Sequence, residues 1–128
     1  MTELTPAQQQ LNEAKALLGR DEAPQAAAIA TQLLAKDPGD IEAAYTLAVA
    51  QRMQQQWQDA LATLRGILEL SPTFGRAHQE TGNNHIALQQ FLDAGRSFEG
   101  AVANDPSLVH SLSLIHISEP TRLESKSR

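Results

Sequence analysis

The chain has 128 residues, 41% of them hydrophobic but only 4% aromatic, with no cysteine and a formal net charge of −5. That length holds one compact domain or one short solenoid. The lack of cysteine excludes disulfides and thiolate metal sites, the acidic balance argues against a nucleic-acid surface, and no apolar run approaches the roughly 18 residues of a membrane span. Residues 1–10 have neither the basic flank nor the apolar run of a secretory signal, so the cytoplasm is the default expectation.

In chain order, Thr5 and Pro6 read as the N-cap and first-turn residue of a helix, along which Leu11, Ala14, Leu17 and Leu18 fall at helical spacing. Gly19 to Pro24 is a break, and Pro24 suits the first turn of a second helix with Ile29, Leu33 and Leu34 as its apolar stripe. Lys36-Asp37-Pro38-Gly39 ends it, because proline cannot continue the hydrogen-bond ladder. Asp40 is a good N-cap for a third helix whose inner stripe is Ala44, Leu47 and Ala48. Gln54 to Gln56 is a turn, and Trp57, Ala60, Leu61, Leu64, Ile67 and Leu68 mark a fourth helix. A fifth runs from about Phe74 to Leu88. After a turn near Gln89-Gln90, a sixth resumes from Phe91 through Ala94, Phe98, Ala101 and Val102.

These elements repeat. Pro38, Pro72 and Pro106 are 34 residues apart, as are Ala26, Ala60 and Ala94, and the pairs Trp57/Phe91 and Leu64/Phe98 keep the same interval. A unit of this length with small residues at the helix crossing (Ala14, Ala48, Gly82), an aromatic opening the second helix (Trp57, Phe91) and a closing proline resembles the tetratricopeptide repeat. The first unit is the most divergent, with Ala23 and Ala30 where large residues are expected.

The resemblance implies an all-α fold, a right-handed α-solenoid of about three helix-turn-helix hairpins. Its units are expected at residues 5–38, 39–72 and 73–106, with 107–111 opening a truncated fourth. It also implies a concave face lined by the first helix of each hairpin and used to hold a protein or peptide partner. Carried over by register, the groove residues are Gln8, Leu11, Lys15, Leu18 and Gly19 in the first unit. In the second they are Glu42, Tyr45, Val49, Arg52 and Met53, and in the third Arg76, Gln79, Asn83, Ile86 and Ala87. Of these, Lys15, Tyr45, Val49, Arg52, Met53, Arg76, Gln79, Asn83 and Ile86 form the candidate partner-binding set. Arg52 and Arg76 would meet a partner carboxylate, Asn83 a peptide backbone, and Tyr45 and Met53 would give adaptable contact. The carboxylate clamp that some members use for chaperone tails is incomplete. Lys15 and Arg76 are basic, but Leu11, Thr46 and Glu80 occupy other clamp positions, so chaperone-tail binding is not expected.

Leu112 to Arg122 reads LSLIHISEPTR, which resembles the translation of a transposon-end sequencing adapter. Residues 112–122 are therefore expected to be a library artefact and Leu123 to Arg128 read-through, with the natural gene continuing past about Ser111. Loss of a capping unit would leave Val102 and Leu108 exposed and favour self-association through that edge.

No residue pattern argues for catalysis, a metal or another cofactor. His78 and His85 are two helical turns apart, about 10.5 Å, too far to share one ion, and read as core or half-buried packing residues. The glycines do not form a phosphate loop, Asp93 and Glu99 read as solvated charges, and Trp57 and Phe91 read as core. The expectation is a non-catalytic protein-interaction module without nucleic-acid or membrane partners. The alternative is the N-terminal arm of a larger enzyme, since GRAHQETGNNHIAL from Gly75 to Leu88, with NDPSL from Asn104 to Leu108, loosely resembles arrays that precede bacterial sulfotransferase domains.

Overall fold

The computed structural model describes residues 3–109. The adapter-like stretch, His110 and His116 lie outside the described residues. Within them the chain forms α1 (Pro6–Gly19), α2 (Ala23–Lys36), α3 (Ile41–Met53), α4 (Trp57–Leu70), α5 (Gly75–Ala87) and α6 (Phe91–Asn104), followed by a 3-10 turn at Pro106–Leu108. They make an α-solenoid of three hairpins.

Local chemistry sets where these helices begin. Thr5 and Gln8 form a reciprocal capping box at α1, the Thr5 hydroxyl accepting from the Gln8 N–H at 3.1 Å. The Asp40 carboxylate accepts from the Ala43 N–H at 3.1 Å to start α3. The break after α1 is shorter than Gly19 to Pro24, because α2 already starts at Ala23 and takes Pro24 into its first turn.

The turn inside each hairpin is the same. Asp21, Gln55 and Gln89 all have φ of 62–63°. Beyond each, the N–H of Glu22, Gln56 or Gln90 donates back to the carbonyl of Leu17, Gln51 or His85 at 2.8 Å. This is the Schellman arrangement, which satisfies carbonyls that a helix end otherwise leaves open. Between hairpins, the chain is extended at Asp37, Ser71 and Asp105, the residue before each proline. The N–H of Asp40, Phe74 or Leu108 then closes the loop onto the carbonyl of Asp37, Ser71 or Asp105.

The core is a chain of small clusters, the first two of which join one hairpin to its neighbour, while the third lies within the third hairpin and the turn after it. Ala14 and Leu17 of α1 meet Ala23 and Ala26 of α2 and Ala50 of α3. Ala48, Leu64 and Ile67 meet Ala77 of α5, with Tyr45, Leu68 and Phe74 packed around them. Ala94, Phe98 and Ala101 are covered by Ile86, Val102 and Leu108. Most of the buried apolar residues are alanines, which lets helix backbones approach closely. The first two clusters each span a junction, so the first and second hairpins bury apolar surface against their neighbours rather than alone.

Burial differs from the sequence reading in three places. Phe91 is 62% exposed rather than core, while Trp57, at the same register, is half-buried. α5 packs on α4, whereas among the described residues only the Pro106–Leu108 turn follows α6. Val102 and Leu108 are half-buried against Phe98 instead of bare. The inner stripe of α3 is Ala43, Thr46, Ala48 and Ala50, with Ala44 and Leu47 only half-buried.

Candidate functional site

α1, α3 and α5 lie side by side, α1 touching α3 and α3 touching α5. Helical spacing aligns Glu42, Tyr45, Val49 and Arg52 on one face of α3, and Arg76, Gln79, Asn83 and Ile86 on the matching face of α5. All eight are half-buried, and Lys15 of α1 is exposed. Met53 and Ile86 are less free than their register suggests. Met53 packs against the α1–α2 junction and Ile86 against the Phe98 cluster.

The charged residues of this face are already paired. Lys15 Nζ lies 3.5 Å from Glu42 Oε1, and Arg76 Nη2 donates to Glu42 Oε2 at 2.5 Å. Glu42 therefore ties α1 to α5 across α3. The Arg76 guanidinium also lies over two rings, 4.9 Å from the Tyr45 centroid and 4.6 Å from that of Phe74. These rings meet edge to face at 5.7 Å and 79°. Arg52 Nε donates to Glu80 Oε2, and Asn83 Nδ2 makes a longer contact of 3.4 Å with Glu80 Oε1. Arg52 and Arg76, expected from the sequence to wait for a partner carboxylate, each hold one from this chain.

Glu80 is only 3% exposed, a burial that a carboxylate tolerates when it has a cation and a donor beside it. Sequence reasoning treated Glu80 only as a wrong clamp residue and missed this role. The one available signal was its place on the inner face of α5, where an acidic residue has to find a partner. Thr46 and Asn84 are likewise buried. Thr46 Oγ1 donates to the Glu42 carbonyl at 2.9 Å and Asn84 Nδ2 to the Glu80 carbonyl at 2.9 Å, while Asn84 Oδ1 has no partner. Burial pushes the Tyr45 phenol above its ordinary pKa. The Glu80 carboxylate adds to the rise, and Arg76 and Arg52 oppose it.

Away from this face are two open clefts of about 320 Å³ each. One is lined by Leu61, Arg65, Leu68, Glu69, Thr81 and His85, the other includes Leu34, Leu47, Gly66 and Leu70. No sequence pattern pointed to either. His78 and His85 are half-buried and bond locally, His78 Nε2 with the Pro72 carbonyl at 2.9 Å and His85 Nδ1 with Gln90 Oε1 at 2.7 Å. Among the described residues no three His, Cys, Asp or Glu side chains lie close enough to hold a metal ion, and no helix is long and apolar enough to cross a membrane.

The tetratricopeptide repeat profile matches residues 17–81, half of the chain. The chain belongs to the tetratricopeptide repeat family. Solved structures of similar fold include the TPR2B domain of yeast Sti1 in complex with pHsp70, at 22% identity and a TM-score of 0.75, covering 87% of this chain and 89% of that one. The second TPR domain of Spaghetti (RPAP3), bound to the HSP90 peptide SRMEEVD, aligns at 16% identity and a TM-score of 0.72, covering 77% and 92%. YrrB, described as a TPR protein with an unusual peptide-binding site, aligns at 13% identity and a TM-score of 0.77, covering 88% and 58%. Against the longer TPR2AB segment of yeast Sti1, the chain spans 45% of the length. No curated protein sequence matches it.

Proposed function

We propose that this TPR array is a protein-interaction module that holds an extended peptide segment against the face formed by α1, α3 and α5. The observation that carries this reading is the half-buried row Tyr45, Val49, Gln79 and Asn83 between two sets of ion pairs. It offers amide donors and acceptors beside apolar surface on rigid helices, the combination that an extended peptide requires. The peptide complexes formed by similar folds add support.

The test is selection of binders to the immobilised full chain from a displayed random-peptide library, followed by titration of the selected peptides. Arg76→Ala and Asn83→Ala should each weaken binding by about tenfold or more, and Arg65→Ala on α4 should not. Equal affinity for all three variants would remove the face from consideration. Arg52→Ala is a poor probe, because it strips the buried Glu80 of its cation and a lost affinity would report damage to the fold.

Exposure of Phe91 and Leu92 at the start of α6 supports a second contact, self-association through that patch rather than through the expected Val102 and Leu108 edge. Sedimentation velocity of the parent chain against a Phe91→Ser, Leu92→Ser variant tests it, and a parent that stays monomeric at every concentration rules it out. The enzyme-arm alternative rests only on the resemblance of residues 75–88 and 104–108.

A further inference from the structure

Resting on the reading of the α1, α3 and α5 face as the binding face, we propose that Glu42 is a specificity-determining residue. Its carboxylate occupies Arg76 in the free protein, sets the face against acidic segments and leaves it selective for neutral extended ones.

Glu42 and Arg76 hold the same register in successive repeats, 34 residues apart, and the stacking of α5 on α3 brings them to 2.5 Å. Arg76 is held on three sides, by Glu42 and by the rings of Tyr45 and Phe74. The other arginine of the face, Arg52, is committed to Glu80. A ligand carboxylate therefore finds no unpaired guanidinium. To take Arg76 it must displace Glu42, whose Oε1 is buried without a hydrogen bond and has only the Lys15 ammonium at 3.5 Å. The entering charge would also face Glu42 as a like charge in a partly desolvated setting. Both effects act against an acidic ligand. A neutral amide meets neither penalty. Arg76 keeps further N–H donors, and the Gln79 and Asn83 amides supply a donor and an acceptor each for a peptide backbone.

The experiment is fluorescence anisotropy with two N-terminally labelled probes, the acidic peptide SQMEEVD and its neutral counterpart SQMQQVN with an amidated C-terminus. They are titrated with the full chain, E42Q, E42A, R76A and E42Q/R76A. Thermal unfolding followed by circular dichroism confirms that each variant is folded. The parent should bind the acidic peptide no better than the neutral one. E42Q and E42A should each raise affinity for the acidic peptide by about tenfold or more, and the gain should vanish in E42Q/R76A. An Arg76-dependent preference of the parent for the acidic peptide overturns the proposal. So does the absence of a gain in E42Q and E42A, or a gain that survives the loss of Arg76. If library selection still yields peptides that depend on Asn83, only the role of Glu42 falls; if it yields none, the binding face falls with it.

Discussion

Phe98 lies against the bare backbone of Gly82. A β-carbon at Gly82 would stand 2.5 Å from Phe98 Cε1 and 2.8 Å from Cδ1 and Cζ, where no carbon can sit. The second unit solves the same crossing with Ala48 and Leu64, both fully buried in one cluster. Where the second-helix residue is larger, the first-helix residue is smaller.

Gly82→Ala should therefore destabilise the array even though alanine is the better helix former. Displacing a ring wedged among Ala94, Ala101 and Ile86 outweighs a propensity gain of about 1 kcal/mol, for a net loss of about 1–2 kcal/mol. Urea unfolding reads the loss. The double variant Gly82→Ala, Phe98→Leu recreates the pair of the second unit and should lose less than the sum of its single changes.

Arg52→Ala should cost about 2–3 kcal/mol, since Glu80 at 3% exposure would be left without its cation. Replacing both by methionine removes the unpaired charge as well and should recover most of that stability. Denaturant midpoints of the two variants decide this. If the double variant is as unstable as the single one, the pair contributes more than mutual neutralisation.

Gln55→Gly and Gln89→Gly should each stabilise the fold, by about 0.5–1 kcal/mol. Both residues sit at φ near 63°, where a β-carbon crowds the following carbonyl and glycine does not. Thermal unfolding would show the midpoint rising with each change. A fall would mean that the glutamine side chains contribute contacts outweighing the backbone relief.

The only tyrosine in the chain is Tyr45, so tyrosinate absorbance reports one group. Its pKa is raised in the folded state, chiefly by burial. The associated stability is fully present below the phenol's unfolded pKa of about 10 and is lost as pH rises through the higher folded value. Folded protein should ionise at higher pH than urea-unfolded protein, and unfolding free energy should fall across that interval. Glu80→Gln removes one contributor to the rise and should lower the folded value.

The period of 34 residues and the prolines at 38, 72 and 106 made the hairpins legible before any coordinates, because each marks a place where backbone chemistry leaves little choice. The left-handed turn residues escaped notice: Asp21, Gln55 and Gln89 stand where glycine usually signals such a turn, and only the Schellman hydrogen bonds reveal them. Hydrophobic periodicity also missed the buried Thr46, Glu80 and Asn84, since it counts polar residues as outward. The register placed Arg52 and Arg76 on the expected face, but their partners Glu80 and Glu42 depend on the offset between neighbouring helices, which periodicity within one helix does not encode.

The ties from Lys15 to Glu42, Glu42 to Arg76 and Arg52 to Glu80 all run from one hairpin to the next along the inner face. Mechanically they act on the pitch of the superhelix rather than on any single hairpin. Lys15–Glu42 and Glu42–Arg76 are open enough to solvent for salt to screen them, while the Arg52–Glu80 tie is more sheltered. The array is thus a spring with one stiff and two soft links. Rising ionic strength should therefore slacken the two open links before the sheltered one.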